Sequence, residues 1–550
     1  MTLKNIVKKE IIKAVYEMQA SNFFEEKFEL LEKDFNLTEA KVPEKFNEDQ
    51  INYDYATNVA FILKKYKKTS PMVIAEHLVA KLSNNQYIKR IDISAPGFMN
   101  IVVSNLAFNN VLKNIINQKE NYGKNVVESQ KINLEYISAN PTGFLHVGHA
   151  RGACYGDALV RLMRHAGHNV ESEYYINDAG NQINVLANSA RVRYLHLFGI
   201  EAQMSEDCYR GNDIVWAAEK IKEKYGDYFV ETNEQKFEEF KNVATEILLN
   251  KIKFDIARLN IEIDTYSSEK AVKESGSIQD VLQKLQKHTY VNDGALFLRT
   301  TDYGDDKDRV LIKSDGSDSY LLPDIAYHET KFAKADRLIN IWGADHSGYI
   351  PRMKIAMECL GHNPNNLDIY TIQLVRLIKD GQEFKMSKRA GTSVTLEDLL
   401  EYASPDAIRF TMLTREINNK FDFDIDFANS KDASNPVFIV QYSHSRSVSL
   451  LDKLKQPSFT NDLVFVDKAK KVILLLDEFP ELIRTIVETT KVNLMSQYLI
   501  NLAKAFNSFY AETKLLGHEY EANYAALVLA CKNVLALGLS LIGVSAPDQM

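Results

Sequence analysis

The feature that most constrains this chain is a change of hydrophobic period between residues 132 and 176. Ile132, Leu134 and Tyr136 alternate with polar residues, the period of two that marks a strand. Pro141 and Gly143 then break the chain into a loop. From Val147 the apolar residues return at helical spacing through Ala150, Ala153, Cys154, Leu159, Leu162 and Met163, and Gly167 is placed to stop the helix. A second strand is expected over 170–176. Strand, loop, helix and strand make a βαβ unit, and such folds hold nucleotides at the loop-to-helix junction after the first strand. Free N–H groups and the positive end of the helix dipole favour a phosphate there.

That junction carries His146-Val147-Gly148-His149. Two histidines three residues apart at a helix start share one face and can donate hydrogen bonds to polyphosphate oxygens as charge builds up in a transition state. Gly148, without a side chain, leaves room for a flat ring such as adenine. A tetrapeptide of this kind also arises by accident. About 240 residues further on, Lys385-Met386-Ser387-Lys388-Arg389 packs three cations and a hydroxyl into five residues, between Gly381 and Gly391. It reads as a glycine-hinged loop able to engage phosphates, although alone it reads equally as a solvated surface loop. The pair, one member after the first strand and one after the end of the same α/β domain, is far more specific than either.

Composition narrows the class. A length of 550 residues suits roughly three to four domains. The apolar share of 45% and charged share of 25% are those of a soluble globular chain. No apolar run is expected to reach the roughly 20 residues that cross a bilayer, and the charged, amphipathic N-terminus is unlike a secretory signal. Cys154, Cys208, Cys359 and Cys531 have neither disulfide-framework nor zinc-ligand spacing, so no structural zinc is expected. The consequent expectation is a cytoplasmic protein with no membrane partner. A net charge of −8 argues against indiscriminate nucleic-acid binding and leaves room for a local basic patch.

Three domains are expected. Residues 1–115 read as an α+β module with helices over 6–18 and 58–66 and strands over 89–94 and 98–103, hinged at Pro96-Gly97. Its basic cluster around Tyr66 (residues 64–68) is either an RNA-backbone contact or a solvated helix end. A charged linker, 117–125, leads into an α/β domain over 125–395 with a parallel sheet and a helical insertion at about 185–260. Within it Glu269, Asp324 and Asp345 are available to neutralise a cationic amino-acid ligand. Residues 396–550 read as helical, without a strand of note, over 396–402, 405–413, 437–454, 469–475, 494–510 and 524–541. A bundle is the simplest packing, serving either oligomerisation or RNA binding.

The paired motifs resemble the two signatures of class I aminoacyl-tRNA synthetases. Further stretches extend the likeness along nearly the whole chain: Glu135-Tyr-Ile-Ser-Ala-Asn-Pro-Thr-Gly, Tyr175-Ile-Asn-Asp-Ala-Gly-Asn-Gln, Asp305-Asp-Lys-Asp-Arg-Val-Leu and Tyr320-Leu-Leu-Pro-Asp-Ile-Ala-Tyr-His. Gly343-Ala-Asp-His, Asn435-Pro-Val-Phe-Ile-Val-Gln-Tyr-Ser-His-Ser-Arg and the ending Ile542-Gly-Val-Ser-Ala-Pro-Asp-Gln-Met550 complete it. These resemble the arginyl-tRNA synthetases of bacterial type.

The resemblance implies a Rossmann-like catalytic domain that makes arginyl-adenylate from arginine and ATP, releasing pyrophosphate, and passes the arginyl group to the 2′-OH at the 3′ end of tRNA(Arg), releasing AMP. It implies that His146, His149, Lys385 and Lys388 are catalytic, and that Gly148 and Ser387 join them in holding ATP with Mg2+. It implies an arginine site of Ser138, Asn140, Glu269, Tyr320, Asp324 and Asp345, and a first motif running Ala139, Asn140, Pro141, Thr142, Gly143, Phe144, Leu145, His146, Val147, Gly148, His149. A tRNA-elbow contact from the N-terminal domain, anticodon binding by the helical domain and a need for tRNA during activation follow in the same way. A monomer is expected separately, because no exposed apolar seam stands out in the sequence. This sequence departs from the family at Tyr53-Asp54-Tyr55, where a glycine usually precedes the aspartate, at Ala526, where arginine is usual, and at Val147 in place of isoleucine. The rival readings are another class I synthetase, a small nucleotidyltransferase, and a relative that binds RNA without catalysis. Length and the helical domain oppose the second, and the five intact signature residues oppose the third.

Overall fold

The structure is a computed structural model describing residues 2–40, 52–384, 394–432, 434–460 and 462–550. Helix α1 (Leu3–Ala20) starts at Thr2, whose hydroxyl accepts from the Asn5 N–H, and buries a stripe of Leu3, Val7, Ile11, Ala14, Val15 and Met18. Strands β1 (Leu37–Glu39) and β2 (Tyr55–Thr57), helices α2 (Val59–Leu63) and α3 (Pro71–Leu82), and strands β3 (Ile88–Ser94) and β4 (Phe98–Val103) follow. The four strands form an antiparallel sheet in the order β1-β2-β4-β3. The stretch expected to link the domains is partly helical, because α4 (Asn105–Gln118) and a turn over Lys119–Asn121 occupy it.

The central body opens with β5 (Lys131–Glu135), α5 (Val147–Ala166) and β6 (Asn169–Ile176), the βαβ unit expected from the sequence. Gly167 ends α5 at φ 118°, a left-handed conformation that favours glycine. Helices α6 (Asn181–His196), α7 (Asn212–Tyr225) and α8 (Glu234–Arg258) form the insertion and share a core of their own. Then come β7 (Thr265–Ser268), α9 (Glu269–Glu274), α10 (Ser277–Leu285) and an antiparallel sheet of β8 (Thr289–Asn292), β9 (Ala295–Leu298) and β10 (Arg309–Ile312). Helix α11 (Leu321–Phe332), β11 (Arg337–Gly343), α12 (Ile350–Cys359) and β12 (Leu367–Ile372) complete the main sheet. Its five strands are all parallel, in the order β12-β11-β5-β6-β7. The chain leaves β5 toward β6 and returns on its other side through β11, so a crevice opens at the carboxyl ends of β5 and β11.

Strands β13 (Val375–Lys379) and β14 (Gln382–Glu383) precede α13 (Leu396–Tyr402) and α14 (Pro405–Met412). The expectation of no strand beyond 396 is not met. Strand β15 (Phe421–Asp424) pairs in parallel with β13, with Phe421 and Phe423 buried and Asp422 exposed. Four residues carry too little alternation to stand out in a sequence. Helices α15 (Ile425–Asn429), α16 (Pro436–Leu451), α17 (Asp467–Thr489), α18 (Asn493–Glu512) and α19 (Glu521–Leu541) follow. Contrary to the expectation for apolar runs, α19 is long and apolar enough to cross a membrane. It is a core helix here, mostly buried and packed against α4, α16, α17 and α18.

Buried Arg409 on α14 ties three regions together. Its Nε donates to the Ile542 carbonyl at 2.9 Å, its Nη1 to the Leu259 carbonyl at 2.7 Å, and its Nη2 pairs with Asp157 on α5. Gly543, at φ 69°, leaves room for this guanidinium, which any side chain there would strike. Helix α5 in turn lies flat on the sheet. A Cβ at Gly156 would lie 2.7 Å from the Tyr136 Cβ and inside its ring contacts, whereas a Cβ at Gly152 would meet the tip of the Ile372 side chain. Gly156→Ala therefore destabilises the fold by about 1–3 kcal/mol through overpacking against a fixed ring, and Gly152→Ala by less because the Ile372 tip can turn away. Chemical denaturation of the two variants measures the order.

Candidate functional site

Strand β5 ends in a turn that ordinary side chains rarely adopt. Ile137 has φ 72° and Ser138 φ 36°, and the Ser138 N–H closes the turn on the Tyr136 carbonyl at 3.0 Å. For a β-branched residue this is strain of order 1–3 kcal/mol, which persists only where neighbours enforce it. The Ser138 hydroxyl enforces it, donating to Glu135 Oε1 at 2.9 Å and accepting from the Tyr175 N–H at 3.1 Å. Ala139 accepts from the Tyr174 hydroxyl at 2.6 Å, and Asn140 donates to Gln182 Oε1 at 2.6 Å. Beyond Pro141 and Thr142, Gly143 lies against the Asp213 carboxylate and Phe144 meets Trp216 edge-on at 5.4 Å. The helical insertion thus covers the loop.

His146 is the N-cap of α5, after buried Leu145. Its Nδ1 accepts from the Gly148 N–H at 3.1 Å, and His149 Nδ1 accepts from the His146 N–H at 3.2 Å. With both Nδ1 atoms accepting, each neutral ring carries its proton on Nε2. The rings stack with centroids 3.7 Å apart. Gly148 is needed under them, since a Cβ there would lie 2.9 Å from His146 Cε1. Desolvation lowers the His146 pKa, and desolvation together with the nearness of His146 pushes His149 down to about 3. The helix start therefore presents two neutral N–H donors, suited to an anion that brings its own charge.

Lys385, Ser387 and Lys388 lie outside the described residues. Both flanks of their segment are described. Phe384 N–H donates to the Leu377 carbonyl at 2.7 Å, at the β13–β14 hairpin. On the far side Thr395 bridges to His146, the Val147 N–H donates to the Val394 carbonyl at 3.1 Å, and the Leu396 N–H donates to the Leu145 carbonyl at 2.7 Å. The chain that leaves the second basic stretch is hydrogen-bonded to the first motif.

A second feature lies at the carboxyl ends of β5–β7. Glu135 and Glu173 pair across the sheet, Glu269 opens α9, and Asp324 stands in the first turn of α11. Glu135 pairs with buried Lys331 at 2.7 Å, and Glu269 with Lys273 at 2.5 Å. With its nitrogen turned inward, the Asn177 amide donates to Glu269 at 2.7 Å. Glu173 accepts from Asn133 and Ser267. Asp324 has burial against it, then the charges of Glu269 and Glu135, only partly offset by Lys273, and its pKa is raised to about 7. Beside it the Tyr175 ring stacks on Tyr327 at 4.1 Å, and the buried Tyr175 hydroxyl has no hydrogen-bond partner among the described residues. Burial and the facing Asp324, Glu269, Glu135 and Asp178 push this phenol up. The pocket has an excess of negative charge and suits a cation with several donors.

Ser138, Asn140, Glu269 and Asp324 thus line one end of the crevice, and His146, Gly148 and His149 the start of α5. Tyr320 stands one turn before Asp324 with its ring 84% exposed, and the Asp345 side chain is 80% exposed and paired only loosely with His346 at 3.5 Å. Sequence reasoning missed the hydrogen-bond chain beneath the pocket. His328 Nδ1 donates to the Asp324 carbonyl at 2.7 Å, Asn340 donates to His328 Nε2 at 2.6 Å, and Lys331 donates to Asn340 at 2.9 Å and to Glu135. Asp324, His328 and Lys331 fall at i, i+4 and i+7, the one signal by which this helix face could have been found.

Comparisons with known proteins agree along the chain. The family described as tRNA synthetases class I (R), catalytic domain, matches residues 111–435; the DALR anticodon binding domain matches 440–550, and the arginyl tRNA synthetase N terminal domain matches 1–103. The arginine–tRNA ligase of Bacillus pumilus is 42% identical over 531 residues, covering 93% of this chain and 95% of that one. That of Bacillus subtilis is 41% identical over 517 residues, covering 91% and 93%. The solved structure of Thermus thermophilus arginyl-tRNA synthetase shares the fold at TM-score 0.73 and 21% identity, with all of both chains covered.

The half-buried, backbone-bound His149 ring is expected to stay neutral from pH 8 down to 5, where an ordinary histidine would be mostly protonated. Nitrogen-15 chemical shifts of the imidazole, followed through a pH titration, should show its proton on Nε2 and no midpoint in that range. Because the unfolded chain would protonate it near its ordinary value, its contribution to stability is full above about pH 6.5 and declines as pH falls below it.

Proposed function

Since the chain belongs to the arginyl-tRNA synthetases of class I, we propose that the acidic pocket takes the guanidinium of arginine and that His146 and His149 take the phosphates of ATP. The enzyme is an aminoacyl-tRNA ligase: it joins arginine to its tRNA at the expense of ATP. The observation that carries the proposal is Asp324, a carboxylate that has no ion-pair or hydrogen-bond partner among the described residues and faces Glu269 and Glu135. A guanidinium can meet Asp324 and Glu269 with paired N–H donors in a plane, which an ammonium cannot. Citrulline, lacking the charge, would leave Asp324 facing Glu269 and Glu135 uncompensated.

In this reading Asn140 and Ser138, held by the strained turn, fix the amino-acid end of the substrate. Tyr320 closes over it from the start of α11, and Asp345 takes part from the end of β11. The carboxylate of arginine attacks the α-phosphate, and the two Nε2–H donors stabilise charge on the phosphates as pyrophosphate leaves. Lys385, Ser387 and Lys388 hold the pyrophosphate end, and Gly148 leaves room for adenine. The tRNA ribose hydroxyl then takes the arginyl group and AMP departs. Magnesium would enter with ATP; among the described residues no group of three or more His, Cys, Asp or Glu stands ready to hold a metal.

Residues up to about 115 would contact the tRNA body, and the helices from α16 onward its anticodon. The segment 396–432 would belong with catalysis, which the pairing of β15 with β13 supports. Action as a cytoplasmic monomer belongs to the same reading, supported by the burial of all four free cysteines and of most of α19.

Arginine-dependent exchange of pyrophosphate into ATP, with tRNA present, is the test. Asp324→Asn should weaken arginine by ~2–5 kcal/mol, roughly thirtyfold or more in KM, because it removes one partner of a buried charge pair, while the KM for ATP stays as in the wild type. For the wild type, KM for arginine should fall as pH rises toward and through about 7, where Asp324 becomes ionised, and level off above. An unaltered arginine KM in the variant would remove Asp324 from the site.

A further inference from the structure

One buried ammonium touches both the insertion and the two strands of chain that meet at the phosphate site. Lys251, on α8, is 8% exposed. Its Nζ lies 2.7 Å from Asp255 and 3.1 Å from Glu397, and 5.4 Å from the centre of the Phe144 ring. Phe144 stands two residues before His146, and Glu397 two residues after Thr395, the residue that bridges to His146. Arg258, on the same helix as Lys251, lies 3.9 Å from the other oxygen of Glu397. Two cations therefore balance two carboxylates.

Asp255, one turn on and almost fully buried, already balances the Lys251 charge within α8. The Glu397 side chain is 42% exposed, so water already solvates much of its charge. What the contact adds is an attachment between two elements, Glu397 lying 146 residues after Lys251 in sequence. We propose that Lys251 is a positioning residue for adenylate formation: through Glu397 it ties the first turn of α13 to α8 and so holds Val394 and Thr395 against His146 and Val147. Such ion pairs stabilise weakly on balance, and what makes this one positional is its place: Glu397 lies within the first turn of α13, whose start is fixed by the capping box of Thr395 and Asp398. The inference rests on the reading of His146 and His149 as the phosphate-binding pair.

Glu397→Gln tests it, because it keeps the shape of the side chain and leaves the Lys251–Asp255 pair intact. In arginine-dependent pyrophosphate exchange with tRNA present, kcat should fall about tenfold or more, as expected for a small misplacement of reacting groups, with the arginine KM and the unfolding temperature unchanged. The double variant Lys251→Met/Glu397→Gln should exchange no more slowly than Lys251→Met alone, since both remove the same tie. His149→Ala is measured in parallel. If it keeps full exchange, the histidine reading itself is wrong. If it is inactive while Glu397→Gln has wild-type kcat, the positioning role is overturned and the histidine reading stands. A fall in kcat matched by a rise in arginine KM and a loss of thermal stability would make Lys251 structural, and would equally overturn the proposal.

Discussion

The rest of the molecule depends on how closely α5 approaches the sheet. Helix and sheet meet where Gly152 faces Ile372 and Gly156 faces the Tyr136 ring, contacts that leave no space for a larger residue at position 156. The same helix then carries the fixed points for everything around it. Its start is His146, at the mouth of the crevice, and its middle holds Asp157, the partner of Arg409. Arg151 donates to the carbonyls of Gln373, Glu416 and Asn419, and the Tyr155 hydroxyl reaches the Thr490 carbonyl at 2.5 Å. Through these bonds one helix sets the place of the β13–β15 sheet, α14 and the helical domain relative to the histidines.

The two ends of the crevice meet opposite electrostatic demands. At the helix start the donors are two neutral imidazoles at the positive end of the α5 dipole, so a polyphosphate would meet polarity there without a buried imidazolium to desolvate. At the carboxyl ends of β5–β7 carboxylates outnumber cations, and the imbalance falls on Asp324. The chain from the Asp324 carbonyl through His328, Asn340 and Lys331 to Glu135 joins this end to the Ser138 turn. Burial pushes the His328 pKa down to about 3, which keeps that relay of donors in one tautomer.

Much of this could be read from the chain itself, for physical reasons that differ by element. The βαβ unit was legible because its strand alternation and its helix repeat are both long and end at a glycine that must be left-handed. Helix α13 was legible from Leu396 to Tyr402, a start that the Thr395–Asp398 capping box sharpens. Helix α17 was not: the apolar spacing predicts a helix only over 469–475, whereas the helix continues through Pro480 to Thr489, its apolar face of Phe479, Ile483, Ile486 and Val487 held by α5, α18 and α19. Strand β15 was too short to show a period. The carboxylates of the proposed site were visible as residues, but nothing in sequence reveals that Glu135 and Glu269 each have a lysine partner while Asp324 has none among the described residues. That depends on which lysines the fold brings near.

In the proposed site Asp324 waits for a cation, whose arrival would ionise it. Calorimetric titration of arginine into the enzyme at pH 7, in two buffers of different ionisation enthalpy, counts the protons exchanged. With Asp324 at about 7, roughly half a proton should be released per arginine bound, and none by the Asp324→Asn variant. A binding heat independent of the buffer in the wild type, with tight binding intact, would mean that Asp324 does not meet the guanidinium.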